Sequence, residues 1–156
     1  MLISDILQPQ CVKVPLEAED KHAVIDELAD VLCDGEEIDK RDELKAAVWA
    51  REQTRTTGIG HGIAIPHGKC GGIDHLVMSV GKTAKPVEFG AIDRKPVEIV
   101  FLLASPMDQT GPHIQALAMI SRMLTDAVLR GEIKNCTDAD ELYRLLVEHE
   151  ATQPVQ

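Results

Sequence analysis

Thr56-Thr57-Gly58-Ile59-Gly60-His61-Gly62-Ile63-Ala64-Ile65-Pro66-His67-Gly68-Lys69 is the stretch on which the reading of this chain turns. Its middle, Ile63 to His67, reads as a short apolar strand between glycine-rich loops. Gly58, Gly60, Gly62, Gly68, Gly71 and Gly72 crowd around it. Glycines let a backbone come close to a ligand and present its N–H groups as donors. Pro66 restricts the backbone just before His67, and Gly68 leaves room beside the imidazole. An accessible histidine held in this way can act as nucleophile, acid, base or metal ligand. The local pattern alone does not choose among these.

Outward from that segment, helices bracket strands. A helical period runs from about Asp20 to Cys33, with Ala23, Val24, Leu28, Val31 and Leu32 as its apolar stripe. Asp20 suits the N-cap and Gly35 the stop. A second helix is expected from Asp39 to about Gln53. Leu76 to Val80 and Val97 to Ala104 read as strands, the latter apolar enough to be central. Helical spacing returns from Pro112 to about Leu124 and again from Asp138, with Leu142, Leu145 and Leu146. The expected class is therefore α/β or α+β in one layered domain, residues 1–150, followed by a flexible tail, 151–156.

Composition narrows the partners. The 156 residues carry 16 Lys plus Arg against 26 Asp plus Glu, a formal charge of −10, which argues against a nucleic-acid or anionic-membrane partner. Aromatic residues are only 3%, so the core must be aliphatic and a stacking platform for bases is not expected. No run approaches the roughly 20 apolar residues of a membrane span, and Met1-Leu2-Ile3-Ser4-Asp5 has no signal-peptide character. Cys11, Cys33, Cys70 and Cys136 are scattered without a CxxC pair, as suits reduced thiols in a cytoplasmic protein.

Two residues break the logic of their helices. Arg51 lies seven after Leu44 and three after Val48, on the stripe expected to face the core. It either snorkels to the rim or aims its planar guanidinium into a pocket, where it would suit an oxyanion. His113 shares the face of Ala116, Leu117, Ile120 and Leu124 and follows Pro112, a residue favoured at the first helical position. A helix N-terminus there disfavours imidazolium, so His113 is either a satisfied core-edge histidine or a neutral N–H donor to an anion. Together with His67 these residues suggest an anion site. His61, His67, Cys70 and His75 lie close in sequence but match neither a CxxC nor an HExxH pattern, so neither metal nor cofactor is expected.

The run Gly58 to Gly68 resembles the phosphorylation-site signature of the type-2 IIA domains of the phosphoenolpyruvate-dependent sugar phosphotransferase system, a family of fructose, mannitol and nitrogen-regulatory members. The likeness extends to Leu2-Ile3-Ser4-Asp5-Ile6-Leu7, Ala50-Arg51-Glu52 and Pro106-Met107-Asp108-Gln109-Thr110. The resemblance implies a mixed central sheet with helices on both sides. It also implies that His67 accepts a phosphoryl group from a histidine phosphocarrier protein (HPr or its nitrogen-branch paralogue). Arg51 and His113 would then neutralise and orient the phosphate, with backbone N–H groups near Gly68 on the remaining oxygens. No metal is required.

The chain is most similar to the nitrogen-regulatory branch, whose members regulate partner proteins, because no membrane-spanning or cysteine-phosphorylated unit accompanies it. A stand-alone fructose-type IIA that passes phosphate to a IIB cysteine is the close alternative. A regulatory binding module independent of phosphorylation is the alternative from another class. His61 has no assigned role.

Overall fold

A computed structural model describes residues 1–152. A 3₁₀ turn, Ile3–Asp5, leads into β1 (Leu7–Leu16), α1 (Lys21–Glu36) and α2 (Arg41–Thr54). The glycine segment forms β2 (Gly58–Gly60), β3 (Ile63–Ala64) and β4 (His67–Lys69). Then come β5 (Val77–Val87), β6 (Val97–Ser105), α3 (Thr110–Met123), α4 (Ala127–Lys134) and α5 (Ala139–Thr152). The strands make one six-stranded mixed sheet in the order β1-β5-β6-β3-β2, with β4 also on β6. β5 and β6 are antiparallel, whereas β1 runs parallel to β5, and β3 and β4 run parallel to β6.

Helices cover both faces. Ser79 turns to α1 and donates its hydroxyl to the Leu28 carbonyl at 2.9 Å. Lys82, three residues on and so on the opposite face, donates to the Cys136 carbonyl beyond α4 at 2.8 Å. β6 lies between, and every residue of it except Glu98 is buried, which explains its unbroken apolar run. The core is aliphatic around two buried phenylalanines, Phe89 and Phe101. All four cysteines are buried free thiols.

Several boundaries differ from the sequence expectation, each for a physical reason. Asp20 does cap α1, accepting from the Ala23 N–H at 2.9 Å. Gly35 does not stop it. The helix runs to Glu36 and closes on Glu37 in the left-handed region, φ 56°. Gly35 is instead a close-approach residue, since a Cβ there would meet Cys11 Sγ at 2.5 Å. α3 starts at Thr110, so Pro112 is its third residue, still within the first turn where a missing N–H costs nothing. Ala151 and Thr152, assigned to the flexible tail from sequence, form the end of α5. Residues 153–156 of that tail lie outside the described residues.

Candidate active site

His67 opens β4, half-buried, where the strand pairs with Leu103 of β6. Its Nδ1 lies 2.7 Å from the Ile65 carbonyl oxygen. A carbonyl only accepts, so Nδ1 carries the proton and Nε2 keeps its lone pair. The ring is thus held with its lone pair at Nε2, an arrangement that can serve as a nucleophile. Burial, followed by the nearby Arg51 charge, lowers its pKa below the ordinary histidine value, against the opposing pull of the Ile65 bond. The group that would attack is therefore neutral at pH 7.

His113 stands beside it, the two rings edge to face with centroids 5.3 Å apart. It is buried, its N–H closes the first turn of α3 on Gln109 at 3.0 Å, and its Nδ1 is 2.5 Å from Ser105 Oγ. Burial first, then the fields of His67, Lys69 and Arg51, lower its pKa to about 4. The sign follows directly. An unfolded histidine binds its proton near pH 6.5 and the folded one only near 4, so the stability gained by keeping His113 neutral is complete above about pH 6.5 and lost as pH falls towards 4. A histidine NMR titration should place the His113 midpoint near 4, with unfolding free energy dropping over the same interval. A midpoint at or above 6.5 would contradict this environment.

Arg51 reaches the site from the last turn of α2. It does not sit on the core line as the spacing suggested. That line is Leu44, Val48 and Glu52, one turn apart, and Arg51 flanks it, half-buried, donating through Nη1 to the Arg55 carbonyl at 2.9 Å. Its charge nevertheless reaches both imidazoles. Lys69 adds a further cation at the rim, donating to Thr110 Oγ1 at 2.6 Å. Three separate segments thus bring His67, His113 and Arg51 together.

Gly68 also has a packing role. A Cβ there would lie 3.1 Å from both Val48 N and Val48 Cγ2, and 3.2 Å from the Ala47 carbonyl carbon. The glycine lets α2 lie against β4 and so sets where Arg51 stands relative to His67. Gly68→Ala should push α2 outward and cost roughly 1–3 kcal/mol, read as a lower urea midpoint at unchanged slope. No change in midpoint would mean that α2 adjusts freely.

Sequence reasoning missed Glu52. Its carboxylate, with no exposed side-chain surface, pairs with Lys21 Nζ at 2.8 Å. It also accepts the Thr57 N–H at 3.0 Å and the Thr57 hydroxyl at 2.5 Å. Lys21 in turn donates to the Phe89 carbonyl at 2.9 Å. This network pins the entry to the glycine segment between α1, α2 and the loop that follows β5. Glu52 entered only as part of the Ala50-Arg51-Glu52 likeness, and the Leu44, Val48, Glu52 spacing that marks it as inward-facing is disguised by its charge.

The histidines and cysteine that lie close in sequence, His61, His67, Cys70 and His75, form no metal-binding cluster among the described residues. His61, with φ 58°, lines another cleft with Ile59, Ile92, Asp93, Lys95 and Lys134. Its neighbour Ile63 pairs with Ile99, four residues before the partner of His67, a displacement of about 13 Å along the sheet. His75 bonds Asp74 and faces Glu36. The Cys70 thiol donates to the Gly71 carbonyl and is pushed up in pKa by burial, the reverse of a reactive thiolate.

The family model described as "Phosphoenolpyruvate-dependent sugar phosphotransferase system, EIIA 2" matches residues 5–149. The chain belongs to this type-2 IIA family. Among relatives, a nitrogen regulatory protein of Bradyrhizobium diazoefficiens is 30% identical over 154 residues, covering 97% of this chain and 99% of the relative. A fructose-specific EIIABC component of Bacillus subtilis is 29% identical over 150 residues, 96% of this chain but only 24% of that longer protein. The solved nitrogen regulatory protein IIA-Ntr of Neisseria meningitidis superposes with a TM-score of 0.84 at 28% identity, covering 92% of this chain and 98% of that one. Within the type-2 IIA family, the likeness is to the nitrogen-regulatory type. Among the described residues of this IIA chain no helix is long and apolar enough to cross a membrane.

Proposed function

We propose that this type-2 IIA chain is a cytoplasmic phosphoryl carrier in which Nε2 of His67 accepts phosphate from a phosphohistidine on an HPr-like carrier protein, and whose phosphorylation state regulates partner proteins. The supporting observation is the Nδ1–H bond to the Ile65 carbonyl, which leaves Nε2 as the free lone pair beside His113 and Arg51. In the transfer, Nε2 forms a bond to phosphorus as the donor's N–P bond breaks, and the donor imidazole recovers its lone pair. The His67 ring gains positive character, which the Nδ1–H bond to Ile65 spreads into the backbone. Arg51 and a donor N–H on His113 meet the charge on the phosphoryl oxygens. Such chemistry needs in-line placement and electrostatic stabilisation, and the Arg51 charge and the His113 ring beside His67 support the second of these. The acting unit is residues 1–150.

A second acceptor downstream, a IIB cysteine, is supported by the likeness to the fructose-specific component. One reconstitution separates the readings. Phosphoenolpyruvate, enzyme I and either a sugar-branch or a nitrogen-branch carrier are mixed with the chain, with and without a fructose-type IIB. Acid-labile phosphate mapped to His67 supports the carrier reading, and onward passage to IIB supports the sugar branch. Absence of phosphate with both carriers would favour a binding module that works without phosphorylation.

A further inference from the structure

Ser105 is the last residue of β6, is fully buried, and places Oγ 2.5 Å from Nδ1 of His113. A neutral imidazole has one N–H donor and one lone pair, and the bond made at one nitrogen decides the role of the other. We propose that Ser105 is a positioning residue whose hydroxyl donates to Nδ1 of His113 and holds that ring as the Nε2–H tautomer, a donor to the phosphoryl group beside it. The inference rests on the reading of His67 as phosphate acceptor.

Three observations carry it. The two imidazoles need opposite tautomers. His67 must offer a lone pair at Nε2, and the Ile65 carbonyl, which only accepts, enforces that. His113 must offer a proton at Nε2, because phosphoryl oxygens present lone pairs and a bare nitrogen would repel them. A carbonyl at His113 would give the wrong tautomer, whereas a hydroxyl can donate. The second observation is burial, which keeps His113 neutral and so makes tautomer choice decisive. The third is rigidity. Ser105 stands on the strand that also aligns His67, through the Leu103 pairing, and its own carbonyl takes the Cys70 N–H at 3.0 Å. Acceptor and donor rings are thus referred to one strand, two residues apart.

The test is a histidine ¹⁵N spectrum of the full chain at pH 7, followed by phosphate-acceptance rates. In the parent protein His113 should show a pyridine-like Nδ1 and a pyrrole-like Nε2. In Ser105→Ala the Nδ1 signal should move towards the average of two interconverting tautomers and acceptance should slow about tenfold through loss of ring placement. Ser105→Thr, which keeps the hydroxyl, should restore both. A pyrrole-like Nδ1 on His113 in the parent protein overturns the proposal without any variant. So does a Ser105→Ala chain that keeps both the pure tautomer and the full rate. If the parent chain takes no phosphate, the acceptor reading fails, and the spectrum still decides the role of Ser105.

Discussion

His67→Ala is expected to take up no phosphate from any phosphohistidine carrier while remaining folded. The substitution removes the Nε2 lone pair that forms the new bond, and its nearest neighbour cannot substitute for it. His113 is buried and engages Ser105 through Nδ1, so its geometry is that of a supporting group. On the folding side the loss is small. His67 is half-buried at the start of a three-residue strand and gives up one hydrogen bond, to Ile65. That bond is worth about 1 kcal/mol, or a fall in Tm of roughly 2–4 °C for a chain of this size. Mass spectrometry under non-acidic conditions, paired with a thermal scan, measures both. Phosphate on another residue of the variant would reassign the nucleophile, and a collapse of the thermal transition would make His67 structural.

Glu52→Ala should be the most destabilising single change near the site. It removes a fully desolvated carboxylate that holds Lys21, the Thr57 N–H and the Thr57 hydroxyl together. Lys21 retains some solvent access and its bond to Phe89, so it is not left wholly stranded. The Thr57 N–H and hydroxyl lose their acceptors inside the protein. Breaking a buried pair and orphaning its donors costs about 3–5 kcal/mol, which is a Tm loss on the order of 10 °C. Glu52→Gln keeps one acceptor oxygen and should lose less than Glu52→Ala. Urea denaturation of the two variants and of Lys21→Met gives the ranking. A loss below about 1 kcal/mol in Glu52→Ala would mean that water replaces the carboxylate at little cost.

The sequence made some of this legible and hid the rest for identifiable reasons. β6 announced itself because a strand buried on both faces has nowhere to put polar side chains. β1 did not. It lies at the edge of the sheet, where Gln8, Pro9, Gln10 and Pro15 are tolerated and interrupt any alternation. α4 escaped notice because its eight residues include Gly131 and an exposed Val128. The candidate site was readable as three residues, two histidines and an arginine, in suggestive places, with the family resemblance supplying their roles. What could not be read was the second layer of contacts. Ser105 looks like the polar end of a strand, and Glu52 looks like one more acid on a helix. Their importance depends on which distant atoms the fold brings to them.

The dependence of the candidate site on β6 has a bearing on when its residues can come together. His67 lies before that strand in the chain and His113 after it, with β4 able to pair only once β6 exists. A ribosome-bound chain that has exposed His67 but not yet β6 carries that histidine without its template strand, and one that has not reached α3 carries it without its neighbour His113. The candidate site therefore comes together only once His113 has emerged and can stand beside His67. Under the proposed carrier role, nascent chains that still lack β6 or α3 are passed over with no separate inspection step.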